Sequence, residues 1–352
     1  MLKIVVDDKI PFIIPALQKL ADCVVALPGK DICSSDVKDA TILVVRTRTR
    51  CNRDLLHGSS VRLIVTATIG YDHIDTAYLA EQGIQWTNCP GCNANSVAQY
   101  IHSSLLLLKR ERGLVPSNST LGIIGVGHVG TAVLKAVSSL GFKQILLNDP
   151  PRSESGDNAP AGFQWSSLDQ LLAECDVLTL HVPHTKQLPH PTHHLIDAEA
   201  IHKMKRRPVI INAARGGVID EQALERALDE GLIRNAIIDT WENEPVINTS
   251  LLNKVYLGTP HIAGYSADGK TNATRMSLEA ICRFLGKPMT FDIQPPALDR
   301  DFVPSDNAEQ LALQLYDPRT DSTQLKTTPK KFEWFRGHYP LRREFCKGQE
   351  SK

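Results

Sequence analysis

The chain is 352 residues long and carries 39 basic and 39 acidic side chains, so its formal net charge is zero. This balance gives no electrostatic footprint for nucleic acid or for a membrane surface. The longest apolar runs are far shorter than a bilayer span. The length predicts two or three domains with an ample core. Eight cysteines in a chain this long do not indicate a disulfide framework.

The first part of the chain alternates short apolar runs with polar or glycine-containing turns. The runs predict strands at residues 3–6, 41–45, 63–66 and 84–87. Charges flank the first run, so a strand is favoured over a signal peptide. Strand–helix alternation predicts a parallel sheet. Residues 93–112 read as one long helix, because Val97, Ile101, Leu105 and Leu108 recur at helical spacing.

A glycine-rich turn follows the next apolar run. Residues 120–124 predict a strand, Gly125-Val126-Gly127-His128-Val129-Gly130 follows, and residues 131–140 predict a helix. A further strand at 145–148 ends at Asp149, about twenty residues past the last glycine. Glycines in this pattern allow a tight turn, backbone approach to a pyrophosphate and close helix–strand packing. An acid at this place can accept from ribose hydroxyls and would repel a 2′-phosphate, so the pattern predicts NAD and not NADP.

Three polar residues each lie just past a short apolar run in the second half of the chain: Arg215, Glu244 and His261. In an open parallel sheet, ligands bind beyond the carboxyl ends of the strands, so these side chains can converge on one crevice. Arg215 can bind the carboxylate of a substrate, His261 supplies an imidazole, and Glu244 supplies a carboxylate that can pair with that imidazole. Those groups can move a proton while a hydride moves to a cofactor. The plainer readings are a surface arginine, a turn histidine and a solvated acid, and Glu242 is a rival to Glu244.

Two other clusters favour a plain reading over a chemical one. Cys89-Pro90-Gly91-Cys92 has the spacing of a redox motif but closes a strand and turn before a long helix, which favours a structural hinge. The histidines at 184, 190, 193 and 194 are separated by prolines, and no acid or cysteine lies in register with them. A solvated loop is therefore favoured over a metal site, and no metal is expected.

The motifs together resemble the D-isomer-specific 2-hydroxyacid dehydrogenases. The resemblance rests on the glycine turn and on the segments that run from residue 214 to 217, from 239 to 245 and from 259 to 264. Within that family the chain most resembles the erythronate-4-phosphate dehydrogenases of vitamin B6 biosynthesis, through residues 66–75, 90–94, 149–152, 261–265 and 315–317. The resemblance implies two Rossmann-like or flavodoxin-like parallel-sheet domains plus a small C-terminal α+β dimerisation domain.

The expected domains follow from this pattern. Residues 1–92 with about 266–286 form a substrate-binding domain, and 93–265 form a NAD-binding Rossmann domain. Residues 287–352 form the dimerisation domain, which is shorter than the family's. The resemblance also assigns roles. Arg215 orients the substrate carboxylate, His261 is the acid–base and Glu244 holds its ring. Substrate contacts fall to Thr47, Thr68 and Tyr265. NAD contacts fall to Gly125, Gly127, His128, Val129, Gly130, Asp149, Val182, Ala213, Ala214, Arg215, Asp239 and Gly264.

The resemblance implies a cytoplasmic homodimer that oxidises 4-phospho-D-erythronate with NAD. Arg46 and Arg48 flank Thr47, and either one is a candidate for the substrate phosphate or a solvated edge charge. Two alternatives stay open. One is another 2-hydroxyacid dehydrogenase, for 3-phosphoglycerate or for glyoxylate and hydroxypyruvate. The other is a NAD-sensing binding protein of the corepressor type, which would bind NAD with little turnover.

Overall fold

The computed structural model describes residues 1–298 and 301–344. The chain divides into two compact units. The first takes residues 1–93 and then runs from residue 266 to the proline-rich segment that ends near 299, and the second takes residues 94–265 and the tail that follows. Each unit contains its own parallel sheet and its own buried apolar clusters.

The first unit is built on a five-stranded parallel sheet in the order β2-β1-β3-β4-β5. This is the flavodoxin-like strand order. The three inner strands are almost entirely apolar because helices cover both faces of the sheet. The strands are β1 (Lys3–Asp7), β2 (Cys23–Leu27), β3 (Ile42–Val45), β4 (Leu63–Thr66) and β5 (Gln85–Thr87), and the helices between them are α1 (Ile13–Leu17), α2 (Ser34–Val37), α3 (Arg53–Leu56) and α4 (Thr76–Glu81).

The second unit is built on a six-stranded parallel sheet in the order β11-β10-β9-β8-β6-β7. Its strands are β6 (Thr120–Ile124), β7 (Gln144–Asn148), β8 (Val177–Leu180), β9 (Val209–Asn212), β10 (Asn235–Ile238) and β11 (Leu257–Gly258). Its helices up to β11 are α5 (Ala94–Glu111), α6 (His128–Val137), α7 (Pro150–Glu154), α8 (Leu168–Glu174), α9 (Ala198–His202), α10 (Glu221–Asp229) and α11 (Thr249–Lys254), with short 3-10 helices at Pro116–Asn118 and Ser138–Leu140.

The strand order reverses at β6, which pairs with β7 on one side and with β8 on the other. In sheets of this kind the crevice at the reversal, beyond the carboxyl ends of the strands, is where ligands bind. Two of the residues predicted to bind NAD follow these ends directly: Gly125 comes after β6, and Val182 comes two residues after β8. The topology therefore places both at the binding edge of the second sheet.

After the second sheet the chain returns to the first unit as the long helix α12 (Ala267–Leu285). The Ser266 side chain caps its start by accepting from the Gly269 amide, and Gly286 ends it in the left-handed conformation that glycine adopts without strain. The buried face of α12 packs with β4 and α1. Among the described residues, no helix combines the length and apolar character that crossing a membrane requires.

The described tail is helical. It comprises α13 (Ala308–Leu315), α14 (Pro318–Thr327), a 3-10 turn at Pro329–Lys331 and α15 (Phe332–Gly337). It packs on the second unit, where α13 contacts α5 and α14 contacts β11. Leu325 and Phe332 are fully buried in the core of that unit. The strands expected of an α+β tail are not formed by residues 301–344; apolar side chains such as these instead lie on helical faces that the second unit covers.

Candidate active site

The structure brings His261 and Glu244 together in the second unit. His261 Nδ1 lies 2.8 Å from one Glu244 carboxylate oxygen and 3.1 Å from the other. The remaining ring nitrogen, Nε2, is therefore the one that can meet a substrate. The side chains are 30% and 18% exposed, respectively, so the pair is shielded yet accessible. A carboxylate bound to Nδ1 fixes the tautomer and orientation that an acid–base histidine needs.

The loop that carries His261 is tied to the end of β10 through Asp239. The His261 amide donates to the Asp239 carbonyl at 2.8 Å. The fully buried Asp239 carboxylate accepts from the amides of Ile262 and Ala263, at 2.8 and 2.9 Å, and from the Thr259 hydroxyl. Both oxygens of the Asp239 carboxylate thus accept hydrogen bonds from the segment around His261. The cofactor contact assigned to Asp239 stays a prediction.

Glu244, and not Glu242, is the acid that faces His261. Glu242 instead pairs with His194 at 2.9 Å, and its backbone amide donates to the Glu221 carboxylate at 2.7 Å. Burial opposes ionisation of Glu244, but its hydrogen bond and charge contact with His261 outweigh that effect and lower the Glu244 pKa. The Trp241 amide adds a further hydrogen bond at 2.9 Å. The pair therefore contains a carboxylate that stays ionised at neutral pH.

Arg215 lies in a compact turn after β9. The Asn212 side chain closes the turn by donating to the Arg215 carbonyl at 3.0 Å and accepting from the Ala214 amide at 3.1 Å. The guanidinium donates to the Ala214 carbonyl at 2.8 Å. A Cβ on Gly216 would lie 2.0 Å from the Trp241 carbonyl oxygen, so the turn packs against the segment that leads to Glu244. Strands β9, β10 and β11 are neighbours, so their three predicted catalytic residues follow strand ends at the same edge.

The glycine turn after β6 has the shape that a dinucleotide needs. Gly125 has φ +85°, and a Cβ there would meet the backbone of His181 and the side chain of Val182. A Cβ on Gly130 would lie 2.0 Å from the Gly125 carbonyl oxygen, so helix α6 approaches the turn closely. A Cβ on Gly127 would meet nothing within 4 Å. The turn thus encloses two of its glycines and leaves the middle one facing open space, as a phosphate cradle at a helix N-terminus requires.

Other residues predicted to contact NAD line the same edge. His128 and Val129 occupy the first turn of α6, and Ala213 and Ala214 directly follow β9. Gly264 lies in the His261 loop, at the end of the segment that Asp239 holds. These positions are compatible with cofactor contacts, and the assignments stay predictions.

Asp149 lies at the end of β7, where it caps α7. One of its oxygens accepts from the Val126 amide of the glycine turn at 2.8 Å, and the other accepts from the Arg152 amide at 3.3 Å. The Arg152 guanidinium donates to the Val126 carbonyl at 2.8 Å and to Asp157 at 3.0 Å. The acid is thus held against the turn that would bind the pyrophosphate, the place where a ribose-binding carboxylate is needed.

The first unit holds the two threonines predicted to contact substrate. Thr47 is exposed just past β3, and Thr68 lies two residues past β4, the neighbouring strand. The Thr68 hydroxyl donates to the Gly70 carbonyl at 2.8 Å. Arg46 forms a two-pronged pair with the fully buried Asp7, both contacts being 3.1 Å. Arg48 instead lines an open cavity of about 480 Å³ with Lys30 and other residues.

The structure supports neither redox chemistry at Cys89 and Cys92 nor metal binding by the histidines between 184 and 194. Cys89 and Cys92 are buried and not disulfide-bonded, and burial raises the pKa of Cys89 to about 11, which disfavours the thiolate that redox chemistry needs. In residues 1–298 and 301–344 no group of three or more His, Cys, Asp or Glu side chains is placed to hold a metal ion. His184 and His193 are exposed, as a solvated loop predicts, and contact each other at 3.0 Å, whereas His194 is half-buried and pairs with Glu242.

Several tail residues that reach this centre were not predicted as site residues. Arg336 of α15 lies 3.9 Å from Glu244, Arg342 contacts the His261 loop, and Tyr339 stacks edge-on against Tyr265. Tyr265, predicted to contact substrate, is half-buried beside that ring. These contacts join segments far apart in the chain, so no local pattern could have disclosed them.

Comparison with known proteins agrees with the geometry. Residues 98–263 match the family "D-isomer specific 2-hydroxyacid dehydrogenase, NAD binding domain", and residues 290–349 match a domain of unknown function, DUF3410. A D-lactate dehydrogenase from Aquifex aeolicus, solved with NAD and lactic acid, superposes with a TM-score of 0.66 at 27% identity and covers 80% of this chain and 95% of its own.

Two curated relatives are similar over nearly the whole chain. The erythronate-4-phosphate dehydrogenase of Bacteroides thetaiotaomicron is 51% identical, and the alignment covers 97% of both chains. That of Porphyromonas gingivalis is 41% identical and covers 97% of this chain and 94% of its own. The chain therefore belongs to the erythronate-4-phosphate dehydrogenases, within the D-isomer-specific 2-hydroxyacid dehydrogenase family.

Proposed function

We propose that the protein oxidises 4-phospho-D-erythronate to (R)-3-hydroxy-2-oxo-4-phosphobutanoate with NAD, a step toward pyridoxal 5′-phosphate. The observation that carries the proposal is the His261–Glu244 pair at 2.8 Å, on the same sheet edge as a glycine turn shaped for a dinucleotide. The family relation supports the phosphorylated four-carbon acid as substrate.

The chain's residues divide the chemistry among them. Arg215 orients the substrate carboxylate and the C2 oxygen, for which its planar fork of donors is suited. His261 Nε2 takes the proton of the C2 hydroxyl as the C2–H bond breaks, and it returns that proton in the reverse direction. Glu244 holds the ring through Nδ1 and stabilises the imidazolium that forms. When bound, NAD supplies the acceptor for the hydride from C2.

The cofactor fits the residues present. The open face of Gly127 would hold the pyrophosphate, and the amides at the start of α6 would donate to it. Asp149 would accept from the adenine ribose, and Val182, which lies against Gly125, would pack beside the base or sugar. Thr47, Thr68 and Tyr265 complete the proposal as substrate contacts. Arg46 and Arg48 both stay candidates for the substrate phosphate, although Arg46 would have to share its guanidinium with Asp7.

A substrate panel tests this proposal. We expect NADH to form with 4-phospho-D-erythronate and much more slowly with D-lactate, glycerate, unphosphorylated D-erythronate or 3-phosphoglycerate, followed by absorbance. Equal or faster turnover of another 2-hydroxy acid would reassign the substrate. Tight NAD binding without turnover of any acid would favour a NAD-sensing binding protein.

Assembly and location are further parts of the proposal. A homodimer is expected from the resemblance of the tail to the family's dimerisation domain, and a cytoplasmic location from the resemblance to the family as a whole. Light scattering coupled to size exclusion should give a particle of twice the chain mass, and a monomer at micromolar concentration would remove the dimer from the proposal.

A further inference from the structure

The C-terminal tail touches the acid–base centre of the second unit at three separate places. Residues 290–349 match a domain of unknown function. Its helix α15 and the residues after it contact Glu244, the backbone after His261, and Tyr265. Such contacts suit an element that shapes the centre and not merely one that extends the surface.

The first contact is electrostatic. Arg336 Nη1 lies 3.9 Å from Glu244 Oε2, on the oxygen that also meets His261. The arginine side chain is only 16% exposed, and Glu333, one turn earlier, holds the guanidinium at 3.1 Å. A shielded cation at this distance acts on the carboxylate more strongly than a solvated one. It also competes with a protonated His261 for the same negative charge.

The second contact fixes the backbone. The Arg342 guanidinium is buried, donates to the Ala263 carbonyl at 2.6 Å and the Ile262 carbonyl at 3.2 Å, and lies 3.9 Å from the centre of the Tyr316 ring. A further donor reaches the Ser96 carbonyl at 3.2 Å. Asp239 binds the amides of the same two loop residues. The loop that presents His261 is thus held through its carbonyls by the tail and through its amides by the sheet.

The third contact is aromatic. The rings of Tyr339 and Tyr265 meet edge-to-face with centroids 5.9 Å apart. The Tyr339 hydroxyl donates to Asp321 at 3.1 Å and lies 3.0 Å from Arg342, which fixes its ring. Tyr265 follows the held loop directly and therefore packs against an anchored surface.

From these contacts we propose that the tail is a positioning element of the acid–base centre, in which Arg336 sets the charge balance of the Glu244–His261 pair and Arg342 fixes the loop that carries His261. This role is additional to any part the tail plays in dimerisation. It rests on the proposed function in so far as that pair moves the substrate proton. Neither arginine is placed to touch the reacting atoms, so both act through other residues.

The charges around the Glu244–His261 pair determine in which direction its protonation shifts when Arg336 is removed. Glu244 meets His261 and Arg336, Glu333 lies on the far side of Arg336, and Glu221 adds negative charge near Glu244. Glu242 acts on Glu221, whose pKa burial raises to about 7. Removing the Arg336 cation leaves these acidic side chains in place. The Glu244–His261 pair then binds a proton more readily, because a nearby positive charge is lost.

The test compares variants of Arg336. Arg336→Met should move the acid limb of kcat/KM for oxidation to higher pH by about half a unit, since an opposite charge near 4 Å shifts a carboxylate by about one unit or more and the ring lies farther away. Arg336→Lys should restore most of the wild-type profile. The control is Arg319→Met, which removes an exposed tail arginine that pairs with Asp317 and Glu111.

Binding of NADH, followed by fluorescence, reports whether each variant is folded. If Arg336→Met loses NADH binding, Arg336→Gln replaces it in the test. The same shift of the acid limb to higher pH is expected of Arg336→Gln. For the loop, Arg342→Lys should lower kcat at least tenfold while leaving the Kd for NADH within about twofold, because a single ammonium cannot replace the fork that spans two carbonyls. Profiles of both variants that superimpose on wild type would overturn the proposal.

A measurement without turnover separates this proposal from the proposed function. The His261 ring signal, identified by its loss in His261→Ala, can be titrated by NMR. If wild type does not oxidise 4-phospho-D-erythronate but Arg336→Met still moves that titration upward, the tail has the proposed role and the substrate assignment fails. If wild type is active and the titration does not move, the role of Arg336 in the charge balance fails while the proposed function stands, and the Arg342→Lys result decides the role of the tail in holding the loop.

Discussion

Replacing Glu244 with glutamine should disable the acid–base centre without removing any heavy atom from it. In the native protein one carboxylate oxygen accepts from the Trp241 amide at 2.9 Å, and the other faces His261 Nδ1 at 2.8 Å. A glutamine that keeps its oxygen on Trp241 presents its NH₂ group to Nδ1. The ring then carries its proton on Nε2, the nitrogen that has to accept the substrate proton. In the opposite rotamer the NH₂ group of the glutamine points at the Trp241 amide, so that two donors face each other.

The size of the effect follows from this geometry. Loss of the correct tautomer in a comparable carboxylate–imidazole pair costs about 10⁴-fold in kcat, and the partial exposure of this pair allows some recovery, so we expect a loss of about 10² to 10³. Loss of the negative charge should also move the acid limb of kcat/KM for oxidation to lower pH by about one unit, equivalent to ~1.4 kcal/mol. This shift of the acid limb is opposite in direction to the shift expected for Arg336→Met.

The assay is NADH formation between pH 5 and 10, with Glu242→Gln as the matched control. Glu242 carries the same charge two residues away but pairs with His194. Its variant should retain the wild-type acid limb. An unchanged profile in Glu244→Gln together with a shifted one in Glu242→Gln would refute the assignment and transfer the role. A fully active His261→Ala would refute the mechanism itself.

Three further predictions concern the clamp and the cofactor. Arg215→Lys should lower kcat/KM by about 100- to 1000-fold with the Kd for NADH nearly unchanged, because lysine lacks the fork; near-normal kcat/KM would remove the residue from its role. Asp149→Ser should raise the preference for NADP over NAD about tenfold for each ~1.4 kcal/mol of relieved repulsion, and equal use of both by wild type would contradict it. Gly127→Ala should lose NAD binding but keep its melting temperature, because the added methyl enters the open cradle, whereas Gly130→Ala should lose both through its contact with the Gly125 carbonyl. Calorimetry and NADH titration check the last pair.

Strongly apolar, fully buried strands were predictable from the sequence. Strands β4 and β6 have the bounds that their apolar runs predict, and the predicted helix at 93–112 is observed as Ala94–Glu111. Strand β2 was missed. It is the edge strand of its sheet and is only half-buried, whereas the inner strands are buried on both faces. Strands β9 and β10 end at Asn212 and Ile238, and the residues between these ends and Arg215 or Glu244 lie in turns.

The proximity of Glu244 and His261 was predictable for a related reason. The carboxyl ends of adjacent parallel strands share an edge, so spacing after a strand already indicates proximity, and Glu244 and His261 do meet. What spacing could not give is the choice of partner between Glu244 and Glu242, which depends on how the turn after Trp241 folds. It also could not show that Asp7 holds Arg46, because Asp7 ends β1 and Arg46 follows β3, and the two are far apart in the chain.

The backbone of His261 explains why the centre needs support from distant segments. Its φ of +56° is left-handed, a conformation that costs a residue with a side chain about 1–2 kcal/mol. Such a conformation persists only where surrounding contacts determine it. Asp239 holds the amides that follow and Arg342 holds the carbonyls, so both hydrogen-bonding edges of the loop are occupied by charged groups. If either were lost, the loop could relax toward an ordinary conformation and carry the imidazole away from Glu244. A tail that follows the whole catalytic sheet in the chain is thus required before the acid–base pair is complete.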